Sequence, residues 1–474
     1  MKKNNLIILA FLLSIGSSCN KVVDIKETDF IGGEIALKTV ANNEGGIIGA
    51  YAAMNVEMGI LLNSVFSDEV KTAEFYNAAT THEWQYSSTD IGIRDNFTAF
   101  NLYYRIIDRV NRVLIALPNA PATTPAAIAL KLKLRGEALY LRAFCHFELY
   151  RYYSNSAVSS DLALAYIEKP SLSPTARINV GPYFLKLKAD LVEAKTLLPA
   201  TTTDIYRTNR VATSGLQARI ALYLKEYADA VSFSTEYINA LPLSPRASFM
   251  GIWTEANNNE VAFKLSRTAS LGGRIGSLFR GTSANATNIN TVTWKPSNKL
   301  WDSYDQANDI RFSAYLINET RLVSPRDPRL IFKYAGTTYG SPTENVADAK
   351  VFRTGEMFLI RAEARAEGND LVNAAADLNV LRAARINGYV NVVLATKDIA
   401  ITAIMDERFK ELPFEGHRFW DLKRRNLPVT RLAADAPVPN ATILAAGSFR
   451  FLLPIPNAEI QANPLMVQNP GYTN

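Results

Sequence analysis

Long stretches in which apolar residues recur every three or four positions constrain this fold most, because that spacing is typical of amphipathic helices. The first covers residues 96–117 and the second residues 126–153, and each is bounded by a proline. Residues 181–198 and 209–240 form two further blocks of the same kind. The chain is therefore predicted to be mainly α.

Two of these stretches contain a turn flanked by small residues, which is the pattern of a helical hairpin. In 209–240 the turn lies near Glu226, followed by Ala228 and Ala230 where two backbones can approach closely. Residues 354–385 repeat the arrangement around Gly368. Both units are similar to tetratricopeptide hairpins. Because one helix pair cannot bury its apolar face alone, several such hairpins are expected to stack into a scaffold.

The middle of the chain has a different composition. Residues 241–348 are rich in Ser, Asn, Thr, Gly and Pro and show no sustained helical period apart from short pieces such as 297–304. An irregular stretch of this length is unusual within a helical chain and indicates functional loops. The predicted architecture is a helical scaffold at about 44–240 and 349–430 that carries a large irregular, loop-rich insertion at about 241–348.

Charge and composition exclude several classes of function. The formal net charge of +6 is spread over 474 residues without a basic cluster, so no nucleic-acid interface is predicted. The three histidines lie far apart and none has metal-ligand spacing. Two cysteines, Cys19 and Cys145, make no disulfide framework. No cofactor and no metal are predicted, although calcium stays open because its oxygen ligands leave no clear sequence mark.

The first residues predict export and lipidation. Lys2 and Lys3 precede an apolar run at 6–15, too short to span a bilayer as a mature helix, and small residues then lead to Cys19. This favours a lipoprotein signal at 1–18, acylation (palmitate) of Cys19 and a lipid-anchored tether at 19–43. The alternative is a plain secretory signal with an incidental cysteine. No later segment has eighteen continuous apolar residues.

Four ordered motifs carry a resemblance to a known family. They are RGEALYLRAF at 135–144, an Arg, Glu, Leu and Ala pattern at 353–364, the charged block at 407–424, and LPIP through NPGY at 453–472. Together they resemble the SusD/RagB family of nutrient-binding outer-membrane lipoproteins. The resemblance covers essentially the whole mature chain, and it implies a single SusD-like domain at 44–474.

The family resemblance also implies a function. It implies a surface-exposed lipoprotein of the outer membrane that binds a nutrient, an oligosaccharide first of all. The protein would deliver that nutrient to a SusC-like TonB-dependent transporter and would not be an enzyme. Two alternatives stay open, namely a peptide or other nutrient in the same role, and a glycoside hydrolase with paired carboxylates.

The charged block at 407–424 is predicted to be structural. Glu411, Glu415 and Arg418 are spaced three or four apart, so their charges could pair along one helix face. Trp420 is expected in the core. His417 has no Ser, Cys or metal partner nearby in sequence, so no catalytic triad and no catalytic residues are predicted.

Candidate ligand contacts are aromatic rings among polar residues, because a ring can stack on the apolar face of a sugar while amides and carboxylates bind its hydroxyls. One group lies between 74 and 95 and a second within the irregular region. The candidates are Phe75, Asn77, Trp84, Tyr86 and Asp90 in the first group, and Trp294, Trp301 and Tyr304 in the second. The alternative is that these rings pin loops to the scaffold.

Overall fold

The computed structural model describes residues 36–73, 82–90, 92–93, 97, 99–154, 157–200, 204–268, 275–280, 292–320, 322, 324–336, 344–436 and 438–472. The predicted signal, Cys19 and the first part of the tether lie outside the described residues. So do the candidate ligand contacts Phe75 and Asn77.

The first half of the chain is helical. The helices are α1 (Val40–Ala53), α2 (Glu57–Phe66), α3 (Phe100–Ala116), α4 (Pro125–Tyr153), α5 (Val180–Leu197), α6 (Arg210–Tyr223) and α7 (Tyr227–Ala240). Strand β1 (Val70–Thr72) follows α2. The four predicted helical stretches are confirmed, and 209–240 is a hairpin with its turn at Leu224–Glu226. Thr124 caps α4 by accepting from the amide of Ala127, and Pro125 occupies its first turn.

The second half mixes short elements with one more hairpin. Its helices are α8 (Arg246–Trp253), α9 (Ser277–Arg280), α10 (Asn298–Trp301), α11 (Ile310–Tyr315), α12 (Thr354–Glu367), α13 (Leu371–Ala383), α14 (Lys397–Glu411), α15 (Arg418–Arg424) and α16 (Asn457–Ala462). Its strands are β2 (Val261–Leu265), β3 (Trp294–Pro296), β4 (Leu316–Asn318), β5 (Arg329–Ile331), β6 (Ala349–Arg353), β7 (Val429–Thr430) and β8 (Ile443–Leu444). In the described residues they pair antiparallel as β1–β3, β2–β6, β4–β5 and β7–β8. The prediction of an irregular region before residue 349 is confirmed.

The hairpins stack in two layers. Helix α4 packs on α5, α6 on α7, and α12 on α13, while α7 also packs on α12. Helix α6 touches both α4 and α12, and all three are largely buried, so they form the inner layer. Helices α5, α7 and α13 bury one side only and form the outer layer. This is the predicted tetratricopeptide-like scaffold.

The last residues assigned to the predicted tether belong to a helix. Helix α1 begins at Val40 with Thr39 as its cap, so residues 40–43 are helical rather than extended. By length and composition Val40–Phe66 could cross a membrane, but this stretch is two helices, because the helix is interrupted between Ala53 and Glu57. Ile47 and Phe66, on either side of the break, are fully buried in the main core. Both helices therefore contribute to the folded core.

Candidate functional site

The segment 82–90 contains three of the predicted contacts, and it is held tightly against the protein. Trp84 is 4% exposed and its indole N–H donates to the carbonyl of Phe66 at 3.0 Å. The guanidinium of Arg431 lies 4.1 Å from the centre of the indole ring. One face of the Trp84 ring is thus covered by the Arg431 guanidinium, and the indole N–H is already hydrogen-bonded within the protein.

Arg431 fixes the start of this segment and forms no ion pair with any residue that the structure describes. Its guanidinium donates to the carbonyls of Val65, Ser67, His82 and Ala441 at 2.5 to 3.0 Å. Burial lowers the pKa of Arg431 to about 9, although Asp68 and Asp435 oppose that effect. One side chain therefore joins the end of α2, the segment 82–90 and the turn before β8.

Tyr86 is also an interior residue, 1% exposed. Its ring stacks on Phe66 with 5.3 Å between centroids and on Tyr472 with 6.2 Å. Its hydroxyl donates to the carbonyl of Arg450 at 2.8 Å. Both the ring and the hydroxyl are therefore occupied by the protein itself.

The second predicted aromatic group packs in the same way. Trp294 lies in β3, is 2% exposed and contacts the ring of His82 at 5.4 Å. Trp301 meets Phe312 edge to face at 4.9 Å. Tyr304 is buried, and its hydroxyl donates to the carbonyl of Lys410 at 2.8 Å. These rings anchor the irregular region to the scaffold.

Five of the predicted ligand contacts are buried, which favours the alternative that their rings pin loops to the scaffold. They are Trp84, Tyr86, Trp294, Trp301 and Tyr304. Each fills a gap between elements because a large ring buries more apolar area than any other side chain. Phe75 and Asn77 stay predictions, since they lie outside the described residues. Asp90 has a different environment.

Asp90 lines a surface groove of about 660 Å³. The groove lies between residues 88–90 and 93, the first turns of α3 and the C-terminal residues 454–461. Its apolar lining is formed by Met58, Ile93, Leu102, Pro454, Pro456 and Ala458. Its volume lies within the range typical of small-molecule sites.

Two pairs of polar side chains line this groove, and sequence analysis did not single them out. Asn101 and Arg105 are one turn apart on α3, and Asn457 and Gln461 are one turn apart on α16. Residues four apart on a helix share a face, so each pair presents its polar ends together. None of the four side chains hydrogen-bonds to another described residue. They are available to a ligand.

Asp90 is the one carboxylate among the described lining residues. Its Oδ1 accepts from the amide of Ile93 at 3.2 Å, which fixes the side chain within its own turn. Amides, a guanidinium and a carboxylate around an apolar floor can bind hydroxyl groups while the floor contacts carbon-bound hydrogens. This chemistry suits a carbohydrate.

The charged block at 407–424 is structural, but its pairing differs from the prediction. Glu411 is fully buried and bonds to Arg311, Arg353 and Arg385. Burial alone would raise the pKa of Glu411, but these three guanidinium groups outweigh it and hold that pKa below its ordinary value. Glu415 bonds to Arg353 and to Lys333. Each carboxylate thus pairs with residues distant in sequence.

Arg418 pairs with neither glutamate. Its guanidinium makes two hydrogen bonds to Asp68, at 2.8 and 2.9 Å. The predicted local pairing is wrong because Leu412–His417 is not helical: Phe414 and Gly416 have positive φ, at 63° and 81°. Trp420 is 1% exposed, so its predicted place in the core is confirmed. His417 is buried 3.9 Å from Glu356, and burial lowers its pKa well below the ordinary value.

Within the described ranges, no group of three or more His, Cys, Asp or Glu side chains could hold a metal ion. Cys145 is buried, and burial raises the pKa of its thiol well above the ordinary value. The thiol is therefore protonated at neutral pH and unreactive.

Comparison with known proteins assigns the family. The SusD family profile matches residues 245–472. A second profile, described as starch-binding associating with outer membrane, matches residues 26–222. The chain belongs to the SusD/RagB family.

Relatives extend the likeness over the whole chain. A SusD-like protein of Formosa agariphila is 22% identical, covering 99% of this chain and 99% of the relative. Among solved structures, a SusD superfamily protein from Bacteroides vulgatus has a TM-score of 0.79 and 22% identity, with 92% of this chain and 100% of that one covered. A laminarin binding SusD-like protein has a TM-score of 0.72 and 20% identity, over 92% and 100% of the two chains. These structures share the fold.

Proposed function

We propose that this SusD-family protein binds an oligosaccharide in the groove formed by residues 88–90 and 93, α3 and α16. The observation that carries the proposal is the set of four free polar side chains, Asn101, Arg105, Asn457 and Gln461, around an apolar floor. A family profile described as starch-binding supports the same ligand class. The laminarin binding relative with this fold adds further support.

Binding without turnover fits the charges of the groove. Hydrolysis of a glycosidic bond ordinarily uses two carboxyl groups on either side of the scissile bond. The described lining supplies one, Asp90. The buried glutamates of the 407–424 block are held by arginines and do not line the groove. The proposed role is capture.

The proposed setting is the outer membrane. Cys19, after the apolar leader, would carry the lipid anchor, and the family profile's description supports association with the outer membrane. The captured sugar would pass to a SusC-like TonB-dependent transporter. Cys19→Ala should then move the protein from the membrane fraction to the soluble fraction. Retention of this variant on membranes after a high-salt wash contradicts lipid anchoring.

Calorimetric titration tests the binding function. Purified protein is titrated with neutral and acidic oligosaccharides and with peptides of similar size, and each mixture is then examined by chromatography for cleavage. The proposal expects saturable binding of at least one oligosaccharide, recovered intact. Binding of peptides alone, or release of shorter sugars, contradicts it.

A further inference from the structure

Arg105 is exceptional among the arginines of this protein. Of those whose side chains the structure describes, it alone makes no hydrogen bond and no ion pair with another described residue. Most of the others pair with a carboxylate, as Arg142 does with Asp190 and Arg112 with Asp108. Those without a carboxylate donate elsewhere, as Arg109 does to the carbonyl of Gly49.

The guanidinium of Arg105 lies where it can contact a ligand bound in the groove. Arg105 lines the groove, one turn after Asn101, and its side chain is exposed. Asp90, the one described carboxylate in the lining, is not within ion-pair distance and accepts from the amide of Ile93 instead. The described lining thus holds one negative and one positive charge that do not pair with each other, and the guanidinium of Arg105 has no partner among the described residues.

A guanidinium presents several N–H donors in one plane, which match the two oxygens of an oxyanion. Hydroxyl groups of a neutral sugar cannot use that geometry fully or balance the charge. The carboxylate or sulfate of an acidic sugar matches the planar donors and neutralises the positive charge. The amides of Asn101, Asn457 and Gln461 can bind the hydroxyl groups of the same sugar.

We propose that the groove selects acidic carbohydrate, and that Arg105 binds a carboxylate or sulfate group on it. This inference rests on the proposed carbohydrate-binding function and identifies the class of sugar. Arg105 is its specificity-determining residue. Arg109, one turn further along α3 and outside the groove lining, is the matched control for charge alone.

The experiment is calorimetry with chemically matched ligands. Uronate trisaccharides are compared with their methyl esters, and sulfated oligosaccharides with their desulfated forms. The wild type, Arg105→Gln and Arg109→Gln are titrated with each pair at about 50 and about 500 mM NaCl, because screening weakens only charged contacts. Melting curves establish that the variants are folded.

We expect at least one acidic ligand to bind the wild type about tenfold or more tightly than its neutral partner. Arg105→Gln should lose that preference, Arg109→Gln should keep it, and high salt should reduce it. Equal affinity for every acidic and neutral pair, or a preference that survives in Arg105→Gln, overturns the inference while leaving carbohydrate binding intact. Failure of every sugar to bind overturns the proposed function together with it.

Discussion

The side chains of Tyr86 and Arg450 each donate to the main-chain carbonyl of the other residue. The hydroxyl of Tyr86 donates to the carbonyl of Arg450 at 2.8 Å, and the guanidinium of Arg450 donates to the carbonyl of Tyr86. The guanidinium also lies 5.0 Å from the centre of the Tyr86 ring. Ser88, two residues after Tyr86, and Pro454, four after Arg450, both line the groove. This reciprocal contact therefore fixes the spacing of two groove walls.

Tyr86→Phe should weaken the contact between the two groove walls while leaving no cavity in the core. The ring and its stacking remain, but the bond to the Arg450 carbonyl is lost, at a cost of about 1 kcal/mol in unfolding free energy. Ligand affinity should fall several-fold because the wall carrying Asp90 is less well held. Tyr304→Phe is the control, since its hydroxyl also donates to a main-chain carbonyl at 2.8 Å, from Lys410. Chemical denaturation and calorimetry should show similar stability losses in both, with an affinity loss in Tyr86→Phe alone.

Trp84→Ala should destabilise the protein strongly. Removing a buried indole costs about 3 to 5 kcal/mol through lost burial and the cavity left behind. The loss also uncovers Arg431, whose guanidinium packs on that ring. A large drop in melting temperature is therefore expected. A variant that melts like the wild type but no longer binds sugar would return Trp84 to the list of ligand contacts.

Arg418→Ala should lower stability and leave binding unchanged per folded molecule. Asp68 is 1% exposed and receives two hydrogen bonds from Arg418 and one from Lys299. Loss of the main partner leaves a buried carboxylate partly uncompensated, at a cost on the order of 3 kcal/mol. Arg112→Ala, which breaks an exposed pair with Asp108, should cost less than about 1 kcal/mol. Equal melting temperatures for the two variants contradict this structural role.

Glu69 should make stability depend on pH. Burial raises the pKa of Glu69 from 4.5 to about 7, although hydrogen bonds from the Phe414 amide and the Ser64 hydroxyl oppose it. The folded-state pKa exceeds the unfolded one. Its contribution to stability is therefore fully present below about pH 4.5 and is lost as the pH rises through about 7.

Glu69→Gln keeps an acceptor at this position and cannot ionise. The difference in unfolding free energy between the variant and the wild type should grow in the variant's favour by about 3 kcal/mol from acid to neutral pH. Denaturation series across that range measure it. A difference that stays constant with pH means that folding does not raise the pKa of Glu69.

The helices could be predicted because their causes are local. The apolar spacing of α4, together with Thr124 and Pro125 at its start, determines both the type and the beginning of that helix. Leu224–Glu226 separates α6 from α7 where the small residues indicated a hairpin. Pairing within the 407–424 block failed because the spacing rule assumes a continuous helix. The chain turns sharply at Phe414 and Gly416 instead.

The site was harder to predict because it depends on contacts between distant segments. Trp84 stands among polar residues in sequence, and its burial requires Arg431 and the end of α2. Asn101 and Gln461 are 360 residues apart in sequence and come together only in the fold. Their helical spacing with Arg105 and Asn457 marks two polar faces, but no local pattern indicates that these faces share one groove.

Calorimetry on a groove variant tests the central claim most directly. Asn101→Ala combined with Gln461→Ala removes one free amide from each of two helices, and neither side chain bonds to another described residue. The free energy of unfolding of the double variant should lie within about 0.5 kcal/mol of the wild-type value, as is usual for surface substitutions. Its affinity for the oligosaccharide bound by the wild type should fall about tenfold or more. Phe75→Ala is titrated beside it, because that ring is the remaining aromatic candidate. Wild-type affinity in the double variant, with lost affinity in Phe75→Ala, would contradict the groove as the binding site.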